Sequence, residues 1–294
     1  MSVVALAPAP RSGGASWAKG LGRLMRRPTA RLGLAIVVAF LALTVLAGVL
    51  APHSPFDQDL ENTLSPPSLA HLFGTDQYGR DILSRVMYGS RTALLAILVA
   101  DGFALVLGGA CGLVAGFYGG WLDSAIMRLA DVLLAFPYLL LALIIVAALG
   151  PSLLNSMIAI GIVYTPQYAR LLRGQVLAVR ETDYVLAARA LGVGRPRIML
   201  RHVLPNSFTP ILVMATLQAG SVVVETAGLS FLGLGAQPPS PDWGAVLADG
   251  QTYFLSAWWI ATFPGLAIFL VVLGFNLVGD ALRDHFDPHR RMVK

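Results

Sequence analysis

The chain has 294 residues, of which 56% are hydrophobic and only 13% charged, and its mean hydropathy is +0.71. Soluble proteins coat their surfaces with roughly 25% charged residues, so this composition excludes a soluble globular protein and makes the bilayer the main solvent. The net charge of +5 comes almost wholly from arginine, since Lys19 and Lys294 are the only lysines. Loops of membrane proteins collect such charge for topological reasons, so it calls for no nucleic acid. The single cysteine, Cys111, can form no internal disulfide.

Residues 1–31 form a basic tail with a short interfacial helix expected near 17–25. An apolar run at 32–51 is long enough to span a hydrocarbon core of about 30 Å and too long for the core of a signal peptide. Pro52 ends it. Residues 52–90 are polar and acidic, with a short amphipathic helix expected at 81–88. A second span follows at 94–118. Gly108, Gly112, Gly116 and Gly120 recur in it every four residues, a spacing that lets another helix approach closely. The third span, 132–149, contains Pro137, which should kink it. A turn at Gly150-Pro151-Ser152 leads to the fourth span, 153–169. The fifth and sixth spans are 209–229 and 258–278, with Trp258 and Trp259 expected at the membrane interface.

With the N-terminus inside, six basic residues of the tail, one in 121–131, seven in 170–206 and four in the C-tail face the cytoplasm. Only Arg80, Arg85 and Arg91 face outward. The positive-inside rule favours that orientation, with both termini cytoplasmic.

Between the fourth and fifth spans lies a polar interval, 182–206, carrying Arg189, Arg195, Arg197 and Arg201. Thr182 or Asp183 can cap a helix through 184–191, Gly192 suits its C-terminal end, and a second helix can start near Pro196 and be closed by Pro205. A DNA-reading helix-turn-helix has this outline, but here it is tied to the bilayer at both ends and cannot reach a groove. The chain has no Walker A lysine, because Gly20 follows Lys19 and Lys294 is terminal. Any ATP must be hydrolysed by other subunits.

Within the spans, carboxylates are costly and often functional. Asp131 can pair with Arg128 three residues earlier. Asp101 and Glu225 are candidates for lining a path or for buried hydrogen bonding, with Glu225 the stronger. The five histidines are scattered along the chain, and neither a metal site nor a hydrolase set is expected from their spacing.

The interval 182–206 resembles the cytoplasmic coupling loop of ABC-importer permeases. Ala187, Ala188, Gly192, Leu204 and Pro205 match the family pattern, while Leu186 stands where that pattern has Glu and His202 where it has Ile. The stretches HLFGTDQYGRDILSRVMYGSR, RLADVLLAFPYLLLAL, AGLSFLGLGAQPPSPDWG and FPGLAIFLVVLGFNLVGDALRDHFDP are similar to the dipeptide/oligopeptide/nickel subgroup, in its second-permease type. The resemblance implies an all-α membrane protein with six transmembrane helices in the type I ABC importer fold. Its divisions are a tail (1–31), a first helix (32–51), an extracytoplasmic segment (52–90), a transmembrane core (91–281) with the coupling loop, and a C-tail (282–294). It implies a bacterial inner-membrane location and no cofactor in this chain, ATP and Mg being bound by partners. Those partners are a homologous permease, two ATP-binding subunits and an extracytoplasmic solute-binding protein. Peptides, nickel complexes and other small solutes all fit the subgroup. The competing reading is a secondary transporter driven by an ion gradient, with Asp101 or Glu225 carrying protons.

Overall fold

A computed structural model describes residues 27–286, whose regular elements are helices, apart from one isolated bridge between Thr75 and Asp81. The expected helix at 17–25 and most of the C-tail lie outside the described residues. Helix α1, Pro28–Leu50, starts with proline in its first turn, where the missing N–H costs nothing. Its apolar residues are spread around the whole circumference, as suits a helix facing lipid.

Helix α2 runs unbroken from Ile82 to Tyr118, 37 residues or about 55 Å. The short helix expected at 81–88 therefore does not end there. Gly89 is no breaker: a Cβ on it would lie 2.4 Å from Trp243 Cδ1, so it marks a close approach. Ser90 and Thr92 return their hydroxyls to the carbonyls of Met87 and Gly89, which satisfies them within the helix. One π turn, Ile97–Asp101, interrupts the α geometry.

Helices α3, Gly120–Leu134, and α4, Tyr138–Leu149, meet at Pro137 with a bend of 96°. Helix α5, Leu153–Arg180, is capped by Ser152, whose hydroxyl accepts from the Asn155 N–H at 3.1 Å. After a polar interval come α8, Thr209–Phe231, α9, Trp243–Thr252, and α10, Trp259–Phe286. Asp242 caps α9 by accepting from the N–H groups of Gly244 and Ala245, and burial pushes its carboxyl above the usual range.

Among the described residues four helices (α1, α2, α8 and α10) are long and apolar enough to cross a membrane, or five spans if the bent α3–α4 pair counts as one. The fourth expected span, α5, is long enough but less apolar. It packs against α2, α3, α4 and α8 and is largely buried by them, so most of its polar residues meet protein instead of lipid. The largest helix contact is α2 against α5, with α1 against α10 on the other side of α8. The glycine strip forms the first of these. A Cβ at Gly108 would fall 2.4 Å from the Thr165 carbonyl oxygen, one at Gly112 2.3 Å from that of Ala169, and one at Gly116 2.9 Å from Val176. Gly120 leaves the strip and starts α3 at φ +65°.

The segment between α1 and α2 is folded down onto α9 and α10. Trp259 Nε1–H donates to the Thr75 carbonyl at 3.0 Å and Arg80 reaches Asp249 of α9 at 3.4 Å, while Trp243 Nε1–H donates to the carbonyl of Val86 in α2 at 2.9 Å. Trp259 is thus buried in protein, while Trp258 stays half exposed. Asp76 receives Arg80 Nε at 2.6 Å, and the fully buried Arg85 reaches the carbonyls of Pro55 and Ser240 at 3.3 and 3.2 Å. Arg85 therefore fastens this segment to the chain before α9. Removing one member of a buried charged network typically costs about 3–5 kcal/mol. Arg85→Ala should cost that much, read as a lower melting temperature of the purified protein; an unchanged melt would mean that these bonds hold nothing.

Candidate functional site

The interval after α5 folds as a helix-turn-helix. Helix α6 is Asp183–Ala190. Its end is a complete Schellman cap: the Gly192 N–H donates to the Arg189 carbonyl at 2.9 Å and the Val193 N–H to that of Ala188 at 3.1 Å, with Gly192 at φ +76°. Helix α7 follows in three continuous pieces, Arg195–Ile198, a π turn at Met199–Val203, and Leu204–Ser207. Pro205 sits inside this helix and does not close it. The wide π turn just before it gives room for a ring and a missing N–H.

The two faces of α6 differ. Val185 and Ala188 are buried against the bundle. Tyr184, Leu186, Ala187 and, just past the helix, Leu191 and Gly192 are exposed, Leu191 to 84%. Pro205 is exposed and Leu204 half-buried. Behind the turn, Arg180, Glu181, Arg189 and Arg195 line a cavity of about 490 Å³ with Phe117 and Tyr118 at the end of α2. Apolar side chains and arginines left bare side by side make a surface that can take a partner's apolar groups and carboxylates.

Ion pairs brace the end of α5 that carries this loop. Arg173 holds Asp123 of α3 by two bonds, and Arg180 donates to the Gly116 carbonyl at 2.7 Å. Asp131 pairs with Arg170 at 2.6 Å. The expected pairing with Arg128 loses to a partner on the neighbouring helix.

Inside the bundle, α5 brings together the two carboxylates singled out in the sequence. Tyr168 donates to Asp101, at the π turn of α2, and Tyr164, one turn earlier, donates to Glu225 of α8. Asp101 is only 6% exposed, whereas Glu225 is partly open. The tyrosines were not singled out in the sequence, because their partners lie 61 and 67 residues away. Two tyrosines four apart in a helix with few charges are the only local sign. Tyr168→Phe would leave a buried carboxylate short of its donor, a loss of about 1–3 kcal/mol. A melt of that variant within a degree of wild type would show that Asp101 finds another donor.

The structure is thus a bundle of long apolar helices with an exposed helix-turn-helix at one end. A family profile described as "Binding-protein-dependent transport system inner membrane component" matches residues 108–292, and one described as "N-terminal TM domain of oligopeptide transport permease C" matches residues 16–67. The chain belongs to the binding-protein-dependent ABC permeases, in the dipeptide/oligopeptide permease C group. It is 46% identical over 272 residues to the dipeptide transport system permease protein DppC of Alkalihalophilus pseudofirmus, covering 92% of this chain and 90% of that one. Against the DppC protein of Escherichia coli the identity is 46% over 269 residues, with 90% of each covered. In fold it is similar to a chain of the MetNI methionine ABC transporter in an inward-facing conformation, with a TM-score of 0.57 at 17% identity, over 70% of this chain and 98% of that one. The chain is accordingly a non-catalytic, multi-pass subunit of the inner membrane, and ATP is bound by partner ATPases. Membership replaces the ion-gradient reading.

Proposed function

We propose that this chain forms half of the path of an importer for dipeptides or oligopeptides, beside a second, homologous permease. Its relatives' names supply the substrate class. Six spans are α1, α2, the α3–α4 pair, α5, α8 and α10, with both termini cytoplasmic by the arginine distribution. Residues 52–90 are then extracytoplasmic, 91–281 make the core, and 182–206 is the coupling loop.

The observation that carries the reading is the bare outer face of α6. Leu186, Ala187, Gly192 and Leu191 turn away from the bundle, while Val185 and Ala188 tie the helix to it. Two ATPase subunits serve the two permeases, and closure of their dimer on ATP pulls α6 and α7. The braced end of α5 passes the movement to α2 and α3. The bundle then opens outward to receive solute from an extracytoplasmic binding protein, so ATP acts through contacts that differ between two states. Leu186 removes the acidic contact that the family pattern makes at its position and leaves an apolar one. Tyr164 with Glu225, the more open of the two pairs, is the part facing the path; Asp101 holds α2 to α5.

The test is peptide uptake by sealed vesicles holding the assembled transporter. Uptake should need ATP on the loop side and binding protein on the other, and persist when ion gradients are collapsed. Uptake that follows a proton gradient without ATP would refute the reading.

A further inference from the structure

At the end of α2 opposite the loop, the fold collects two of the scattered histidines around one carboxylate. His71 Nδ1 lies 3.0 Å from Asp81 Oδ1 and His53 Nδ1 lies 3.8 Å from the same oxygen. The ligand atoms of the three residues lie within 4.8 Å of one another, and the imidazole centroids are 4.7 Å apart. The other carboxylate oxygen, Asp81 Oδ2, is committed: it accepts from the Ser84 N–H at 2.8 Å and the Ser84 hydroxyl at 2.7 Å. Ser84 Oγ also accepts from the His53 N–H at 3.2 Å, so one serine orients both the carboxylate and the histidine backbone. The cluster opens on a cavity of about 410 Å³ that Asp57 and Asp59 also line.

The geometry points to a site for a divalent transition metal of the zinc class, ligated by His53, His71 and Asp81 Oδ1. Tetrahedral coordination at about 2.0–2.1 Å places donors about 3.3 Å apart, so the two separations from Asp81 Oδ1 need to change by half an ångström or less, and the two imidazole donors, within 4.8 Å of each other, need to close by up to about 1.5 Å through side-chain rotation. Imidazoles with one carboxylate oxygen are the donor set that zinc, cobalt and nickel accept. A hydrogen-bonded carboxylate is the supported ligand that such sites use. The cavity on which the three residues open carries two further carboxylates, Asp57 and Asp59, which favour a dication. A bound ion would clip the exit of α1, at His53, to the start of α2, across a segment otherwise held by the Arg85 network.

Cobalt(II) reports the site directly through the visible bands of a tetrahedral complex. The complete transporter, purified, treated with chelator and titrated with cobalt(II) without nucleotide, should show those bands with one equivalent per copy of this chain. Loss of an outer-shell partner costs about 10–100-fold in affinity, so His53→Ala and His71→Ala, which remove ligands, should weaken binding by about 100-fold or more. Asp81 also caps α2. His53, with a side chain 43% exposed, therefore separates metal binding from folding, checked by an unchanged elution of the complex. Zinc should raise the melting temperature of wild type and leave that of His53→Ala unchanged. No tetrahedral bands in wild type, or equal bands in wild type and the His53→Ala/His71→Ala double variant, would overturn the assignment.

Discussion

Gly112→Ala should prevent the transporter from accumulating in the membrane, while Gly109→Ala should leave it nearly untouched. Both glycines are buried in α2. A Cβ at Gly112 lands 2.3 Å from the Ala169 carbonyl oxygen and 3.0 Å from two further Ala169 backbone atoms, and a helix backbone cannot swing aside as a side-chain tip can. At Gly109 the nearest atom is Leu172 Cδ2, at 3.9 Å, which is ordinary contact. Overpacking typically costs about 1–3 kcal/mol, and contact with backbone puts Gly112→Ala at about 3 kcal/mol, a large share of a membrane protein's margin. Gly109→Ala has no such clash and gains a little helix propensity. Membrane-fraction yield and melting temperature of the two variants side by side check this. Equal behaviour would mean that α2 and α5 do not approach as described.

Gly192→Val should uncouple ATP hydrolysis from uptake without harming membrane insertion. Nothing lies within 4 Å of a Cβ built there, so the effect is not steric crowding in this chain. It comes from φ +76°, which a β-branched residue strongly resists. Strain of about 1–3 kcal/mol falls on the two hydrogen bonds that end α6, and 2 kcal/mol corresponds to about a 30-fold shift in the population of the docking geometry. Gly192→Asn, which tolerates the left-handed region better, should keep most of the uptake. The readout is peptide taken up per ATP hydrolysed in the same vesicles. Equal loss in both variants would point to the need for a position without a side chain and not to its backbone freedom.

Periodicity and punctuation carried much of the fold. The four-residue glycine strip, the break at Pro137 and the Gly192 turn were visible because each is a local backbone requirement. Continuity of α2 was hidden, since Gly89, Ser90 and Arg91 look like a loop until Trp243 is seen against Gly89 and the hydroxyls are seen turned back on the helix. Pro205 looked like a stop because a π turn has no sequence signature. The loop residues Leu186, Ala187, Ala188, Gly192, Leu204 and Pro205 came from the resemblance, and it did not tell which face of α6 is bare: Ala188, one of them, is buried with Val185 against the bundle, a tertiary fact. His53 and His71 stand 18 residues apart in a segment without periodicity, so only the fold of that segment could bring them to Asp81. The tyrosines paired with Asp101 and Glu225 left only their four-residue spacing as a local sign, because the pairing itself is long-range.

The most direct test of the central claim, that this chain takes its drive from an ATPase through α6, is a cross-link at Leu191. In a Cys111→Ser background, Leu191→Cys should join a cysteine placed in the cleft of the ATPase subunit, with a yield that changes when ATP is bound. A cysteine at buried Val185 should give no product. Cross-linking from Val185→Cys but not from Leu191→Cys, or from neither in a transporter that still takes up peptide, would contradict the account.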